Sequence, residues 1–373
     1  MNKRIPVKTH PTPPSSSAGL FTRTLMHWHV QDNRRMMPWK GERDPYRIWL
    51  SEIILQQTRV EQGWAYYERF IRAYPDVRSL ASAVDSDVFK LWEGLGYYAR
   101  CRNLLKAARQ VVTDHGGHFP ADHTSILSLQ GVGPYTAAAV SSFAFGLPHA
   151  VVDGNVLRVL ARFFGIRESI DEAPTKRMLE AWAQSLLYLE DPAAYNQAIM
   201  DFGATVCKPA APKCIECPMS EGCLAFREGL QDQLPARTPK AARRLRWMDY
   251  VIPVVGTAIP LRERTSKDVW RNLFEPFMIE SPEQKTASWL IAHPMVTALN
   301  GGAPPISYQV SEPYVQLLTH QQITGRFLIF RPHKPPQLTE GYAWVDISAL
   351  NDIAFPRHIR QFLDEDPFLF THL

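Results

Sequence analysis

From Leu20 to about Ala225, apolar residues recur every three to four positions, the spacing of helices that bury one face. Asp44-Pro45 opens a helix predicted to run towards Gly63, with 64–74 as its continuation or a second helix. Further helices are expected over 86–92, 102–115, 125–129, 135–145, 156–164, 175–187 and 195–206, punctuated by Gly and Pro. No convincing strand pattern interrupts them, so 20–230 reads as an all-α domain with short connections. Residues 1–19 are rich in Pro and Ser and read as a disordered tail. Across 231–249 the periodicity gives way to a basic, linker-like stretch containing Arg243, Arg244 and Arg246. Such a stretch could follow a phosphate backbone or serve as a soluble tether. From about Tyr250 the pattern changes to short β-like runs at 250–257, 273–279, 315–319 and 325–330, with a closing helix over 357–363. The region 250–373 is therefore expected to be α+β, its strand order open.

Composition narrows the partners. Of 373 residues, 45% are hydrophobic, enough for two cores. The net charge of +4 permits nucleic-acid binding without requiring it. No apolar run reaches the length of a membrane span, and 251–261 is broken by Pro253 and Pro260, so no membrane partner is expected.

Four of the five cysteines, Cys207, Cys214, Cys217 and Cys223, follow C-x6-C-x2-C-x5-C. Thiolates this close repel one another unless something positive lies among them. Disulfides fit poorly with a chain that shows no signal-peptide pattern and reads as intracellular. Zinc and an iron–sulfur cluster both remain, because spacing alone does not separate the two metals. Lys208 and Lys213 lie inside the first loop, where they can face a phosphate or simply be solvated. Cys101 reads as a plain core or surface thiol.

A second motif is Leu129-Gln130-Gly131-Val132-Gly133-Pro134-Tyr135-Thr136-Ala137. A short helix enters Gly-x-Gly, and another opens at Pro134. Glycines allow a tight hairpin whose backbone N–H groups approach an anion, and a helix N-terminus favours phosphate. Gly131, Val132 and Gly133 are the expected DNA contacts. An ordinary interhelical turn is the alternative.

The hairpin, then Val151-Val152-Asp153-Gly154-Asn155-Val156-Leu157-Arg158-Val159, then the four cysteines resemble the helix-hairpin-helix DNA glycosylases of the endonuclease III superfamily. Trp49-Leu50-Ser51-Glu52-Ile53-Ile54-Leu55-Gln56-Gln57-Thr58-Arg59-Val60 and Trp92-Glu93-Gly94-Leu95-Gly96-Tyr97-Tyr98 are similar to MutY, the adenine DNA glycosylases that remove adenine mispaired with 8-oxoguanine. The resemblance implies a [4Fe-4S] cluster on Cys207, Cys214, Cys217 and Cys223. It also implies a duplex DNA partner carrying an adenine:8-oxoguanine or adenine:guanine mispair, base excision repair, a monomer, and a cytoplasmic, nucleoid-associated setting in a bacterium.

Glu52 is surrounded in sequence by Trp49, Leu50, Ile53, Ile54 and Leu55, so its helix is expected to be buried. Desolvation raises a carboxyl pKa and suits a general acid. The resemblance implies that Glu52 protonates the adenine ring. Breaking an N-glycosidic bond builds positive charge on the sugar, which a fixed carboxylate stabilises. By resemblance that carboxylate is Asp153, with Asn155 orienting the catalytic groups by hydrogen bonding; Asp153 can equally cap the helix that starts near Val156. Tyr135 stands where bifunctional relatives carry a lysine. Tyrosine forms no Schiff base, so base removal without strand cleavage is expected.

The target base must leave the stack. Gly94-Leu95-Gly96-Tyr97 is expected to push an apolar wedge, Leu95 or Tyr97, into the duplex. Gln57 and Thr58 are expected at the estranged base. Trp39, Lys40 and Asp201 match family positions around the adenine pocket, with Lys40 replacing an arginine seen in some relatives. Each of these can also be ordinary structure.

The region 250–373 looks like the Nudix-related recognition domain attached to MutY, without the glutamate-rich hydrolase signature. Leu318-Thr319-His320 stands where the family often has Phe-Ser-His, so Thr319 and His320 are expected to read 8-oxoguanine. Three other functions compete: an endonuclease III-like lyase, a non-catalytic mismatch binder and a Nudix hydrolase. Tyr135 opposes the first, the pair Glu52 and Asp153 the second, and the missing signature the third.

Overall fold

The structure, a computed structural model, describes residues 12–37, 40–239 and 242–365. Contacts divide the chain into two units, and the division is not a single cut. The first holds residues up to Ser82 together with Asn103–Pro239; the second joins Ala83–Arg102 to Lys240–Leu373. The expected boundaries of 20–230 and 250–373 therefore need correcting, because 83–102 packs with the C-terminal half.

The helices, in chain order, begin with α1 (Ser15–Gln31), α2 (Pro45–Leu55), α3 (Val60–Ala73), α4 (Val77–Ala81), α5 (Asp85–Trp92) and α6 (Ala99–His115). Then come α7 (His123–Ser128), α8 (Pro134–Phe145), α9 (Gly154–Phe163), α10 (Ala173–Leu186), α11 (Pro192–Thr205) and α12 (Leu224–Arg227). Helix α1 starts inside the stretch expected to be disordered. Phe21, Leu25 and Trp28 recur on one stripe and are buried, which outweighs the Ser-rich start. The helix expected over 44–63 ends at Leu55, and α3 resumes at Val60. The break passes through Gln57, a non-glycine residue at φ 57°. Neither glycine nor proline announces it.

Helix α2 is buried from Tyr46 through Ile54 apart from Arg47, and packs on α8. Asp44 caps its first turn by accepting from the Tyr46 N–H at 2.9 Å. Helix α9, buried from Val156 to Phe163, packs on α11. Gly203 permits that approach: a Cβ there would stand 2.7 Å from the Asn155 Cβ.

The second unit is α+β, as expected. A mixed sheet runs β4 (Phe277–Ser281), β1 (Arg244–Pro253), β7 (Gln321–Phe330), β5 (Tyr308–Val310), with β6 (Tyr314–Leu317) also on β7. Strands β1 and β7 are parallel; the other pairs are antiparallel. A smaller sheet has the order β3 (Phe274–Glu275), β2 (Ala258–Glu263), β8 (Tyr342–Asp346). Short helices α13 (Ala287–Ile291) and α14 (Pro294–Leu299) precede β5, and α15 (Arg357–Glu365) closes the described chain. Val251, Phe277, Leu328 and Phe330 fill a core with Leu290 and Val296. Strand β1 begins inside the expected linker. Arg246 is buried and held by Asp268 and Glu280, which rules out the phosphate-tracking role for that residue. The expected strand over 315–319 splits: β6 stops at Leu317, and Leu318 N–H reaches Gln321 O at 2.8 Å across a tight turn.

Candidate active site

Three elements bring the predicted chemical groups together in the first unit. Glu52 lies on α2, Tyr135 at the start of α8 and Asp153 at the start of α9. Glu52 is buried and hydrogen-bonded to Tyr135. Burial pushes its carboxyl up to about 7; the tyrosine bond opposes the rise and the nearby Asp153 adds to it. A proton is thus held near neutrality, as the sequence led us to expect. Burial likewise drives the Tyr135 phenol well above its ordinary range, helped by Glu52 and Asp153. Tyr135 is neutral at physiological pH and has no amine to offer.

Asp153 is the N-cap of α9. One oxygen accepts from the Val156 N–H at 2.8 Å and caps α9; the other accepts from Asn155 Nδ2 at 2.6 Å. Asn155 Oδ1 accepts from Arg158 Nη2 at 2.8 Å. The same guanidinium donates to Gly203 O and Cys207 O at 2.7 and 2.9 Å. Arg158 was missed by residue-type reasoning, although it sits one turn after Gly154 in the quoted motif.

The four cysteines line one cavity, walled by Phe163, Phe202, Met219 and Phe226. They are unbridged. Burial, with a smaller contribution from its three cysteine neighbours, pushes the Cys217 thiol up to about 12. Thiolates in that space therefore need a cation between them. Among the described residues, no three His, Cys, Asp or Glu side chains converge closely enough to hold a single metal ion. Buried Arg162 clasps the first loop: its nitrogens donate to Lys208 O at 2.6 Å, Pro209 O at 3.1 Å and Cys207 Sγ at 3.4 Å. Lys213 is exposed and Lys208 half-buried. Cys101, by contrast, is fully buried away from this cavity, a core thiol.

The hairpin forms between α7 and α8. Gly131 has φ 75°, and a Cβ there would collide with the Asn103 side chain. Val132 is buried and Gly133 is the N-cap of α8, with Pro134 at its first position.

Trp39 lies outside the described residues. Lys40, Gln197, Phe143 and Ser51 help line a cavity of about 220 Å³. Asp201 does not line it. Fully buried, it accepts from Asn33, Arg35, Lys40 and Gln197 at 2.9, 2.9, 3.3 and 2.9 Å, so it ties Lys40 and Gln197 of the cavity wall to Asn33 and Arg35. Gln197, four positions before Asp201 on α11, and Arg35 were missed. The i, i+4 spacing was the available signal. Gln57 is exposed in its left-handed turn, with half-buried Thr58 beside it.

Within the second unit, the turn expected to act as a wedge and the pair expected to read 8-oxoguanine meet through Tyr97 and Thr319. Gly94, Gly96 and Tyr97 all have positive φ, at 92°, 74° and 49°. Leu95 is buried, so the expected apolar tip is not Leu95; Tyr97 is the exposed ring. Thr319 and His320 are exposed at the tip of the β6–β7 hairpin, and the Thr319 hydroxyl hydrogen-bonds the Tyr97 hydroxyl.

Comparison with known proteins agrees with this geometry. Residues 50–185 match the HhH-GPD superfamily of base excision DNA repair proteins. The adenine DNA glycosylase of Buchnera aphidicola subsp. Acyrthosiphon pisum is 31% identical over 257 residues, covering 68% of this chain and 73% of that protein. That of Buchnera aphidicola subsp. Schizaphis graminum is 27% identical over 346 residues, covering 92% and 98%. Among solved structures, a thermostable thymine-DNA glycosylase superposes with a TM-score of 0.52 at 32% identity, over 57% of this chain and 98% of that one. The chain is a DNA glycosylase acting on N-glycosyl bonds, and it belongs to the MutY family of adenine DNA glycosylases.

Proposed function

We propose that this enzyme excises adenine paired with 8-oxoguanine or guanine in duplex DNA and leaves an abasic site uncut. The observation that carries the reading is Glu52: a buried carboxyl with its pKa near 7, bonded to Tyr135 and close to Asp153. Glu52 gives its proton to the everted adenine ring. The C1′–N9 bond breaks, its electron pair leaves with the now neutral base, and positive charge remains on the sugar. Asp153, fixed by the Val156 N–H and Asn155, stabilises that charge. Water adds to C1′, and its proton returns to the Glu52 carboxylate. Tyr135 replaces the lysine of strand-cleaving relatives, so no imine forms.

A [4Fe-4S] cluster held by Cys207, Cys214, Cys217 and Cys223 would supply a rigid cross-link for the loop bearing Lys208 and Lys213. The shared cavity and the four unbridged thiols support a bound metal group, and the family resemblance favours the cluster over zinc. The second unit acts as a Nudix-like reader, with Thr319 and His320 at the 8-oxoguanine. Support comes from their exposed hairpin tip. The protein works as a monomer in the bacterial cytoplasm.

The test is single-turnover excision on duplexes with adenine opposite 8-oxoguanine or guanine, with and without alkali. Breaks only after alkali, faster opposite 8-oxoguanine, are expected. Breaks without alkali would overturn the uncut product. Equal rates opposite both partners would overturn the lesion preference.

A further inference from the structure

Glu93 is the one charged residue of Trp92-Glu93-Gly94-Leu95-Gly96-Tyr97-Tyr98, and neither the chemistry nor base reading uses it. Its side chain is 14% exposed. One oxygen accepts from the Phe355 N–H at 2.9 Å and from Arg360 Nε at 3.2 Å; the other accepts from Lys90. Lys90 also reaches Ile353 O at 3.2 Å, and Arg360 reaches Leu350 O and Ile353 O, each at 2.8 Å. The carboxylate thus joins the end of α5 to the segment 350–360 that leads into α15, all within the second unit.

The wedge turn starts at the next residue. Gly94 and Gly96 take up positive φ freely, so Tyr97 at φ 49° is the one position of the turn whose left-handed backbone must be held by its surroundings. Arg100 caps its inner side, donating to Leu95 O and Gly96 O at 3.3 and 3.2 Å and lying over the Trp92 and Tyr97 rings. At the far end, Tyr97 bonds Thr319. The turn is therefore fastened twice to 240–373, through Glu93 before it and Tyr97 within it.

We infer that Glu93 is a positioning residue that fastens the wedge turn to the C-terminal segment, so that wedge insertion and lesion reading act as one element. The inference rests on the lesion-reading role proposed above for Thr319. Coupling of this kind predicts non-additivity: once the fastening is gone, removing the Thr319 hydroxyl costs less.

The experiment uses the full-length protein with Glu93→Ala, Thr319→Ala and the double variant, each checked for wild-type melting behaviour. Glu93→Gln, which keeps the side-chain volume, replaces Glu93→Ala if the alanine variant does not fold. In hydrogen–deuterium exchange without DNA, the Glu93 variant is expected to raise exchange in peptides covering 94–98 and 318–321. Unchanged exchange there overturns the fastening. In single-turnover excision, each single variant is expected to lower the 8-oxoguanine-to-guanine rate ratio by about tenfold, and the double variant by no more than the larger single effect. An unchanged ratio in the Glu93 variant, or effects that multiply in the double variant, overturns the coupling. If wild type shows no preference for 8-oxoguanine, the reading role of Thr319 fails, while the exchange measurement still decides the fastening.

Discussion

The carboxyl on α2 and the pair Thr319 and His320 on the β6–β7 hairpin, proposed as acid and lesion reader, sit in opposite surroundings. Glu52 is shut away from water, and its chemical character comes from that exclusion. Thr319 and His320 stand in solvent, and Tyr97 beside them is 44% exposed. Their ability to recognise anything depends on backbone geometry: a two-residue hairpin tip and a turn with three left-handed positions. Interior groups are tuned by what surrounds them; exposed groups can only be aimed. Damage to the first kind should show in rate and in pH dependence, and damage to the second in discrimination.

The largest effect expected is on catalysis. Glu52→Gln should slow adenine release by about a thousandfold or more, with duplex binding retained, because the removed group is the proposed proton donor. A loss of less than tenfold in single turnover would place the acid elsewhere and break the comparison at its first term.

The same substitution should raise stability with a definite pH signature. The Glu52 carboxyl has its pKa raised from an ordinary 4.5 to about 7 on folding. The unfolded chain is ionised above the lower value, and the folded chain only above the higher. Wild-type stability therefore falls relative to Glu52→Gln as pH rises from about 4.5 to about 7, then levels off. The plateau gain should be about 3 kcal/mol. Denaturant melts of both proteins at pH 5 and pH 8 check it; a pH-independent difference would remove desolvation as the cause.

A packing test comes next. Gly203→Ala puts a methyl 2.7 Å from the Asn155 Cβ. It should cost about 1–3 kcal/mol of stability. It should also slow excision more than it weakens DNA binding, because the displaced side chain orients Asp153. Equal losses in both would show that α9 shifts as a whole.

On the exposed side, Thr319→Ala with His320→Ala should lower the preference for 8-oxoguanine over guanine by about tenfold, the worth of one or two hydrogen bonds. Melting should stay at the wild-type value. The smallest effect expected is at Gln57. Relaxing its left-handed backbone with Gln57→Gly should stabilise the protein by about 1 kcal/mol while weakening DNA binding. If stability falls instead, the side chain does structural work after all.

Much of the buried site was legible in the chain, because burial leaves a dense local trace. Glu52 stands in an apolar run, Asp153 sits before a glycine and a helix, and four cysteines share 17 positions. The gaps arose where a contact crosses long stretches of sequence. Nothing near Asp201 in sequence marks the network it anchors, since Asn33, Arg35 and Lys40 converge on it from more than 160 residues away. Leu95 looked like a protruding wedge from its flanking glycines, yet the turn folds it inward and leaves Tyr97 outside. Periodicity also failed at Gln57, where a helix stops without a breaker, and at Ser15, where a polar start is overruled by Phe21, Leu25 and Trp28. In the second unit the β-like runs were visible, but not the parallel pairing of β1 with β7, since strand order leaves no local mark.

The discontinuous second unit has a practical corollary for anyone recombining relatives of this enzyme. A chimaera joined once near Pro239 would graft a foreign tail onto a native 83–102 insert that had lost its companion surface. Swaps that carry both segments from one parent should yield functional hybrids more often than single-crossover ones, and parental pairs that differ at Glu93, Phe355 or Arg360 should tolerate the single junction least.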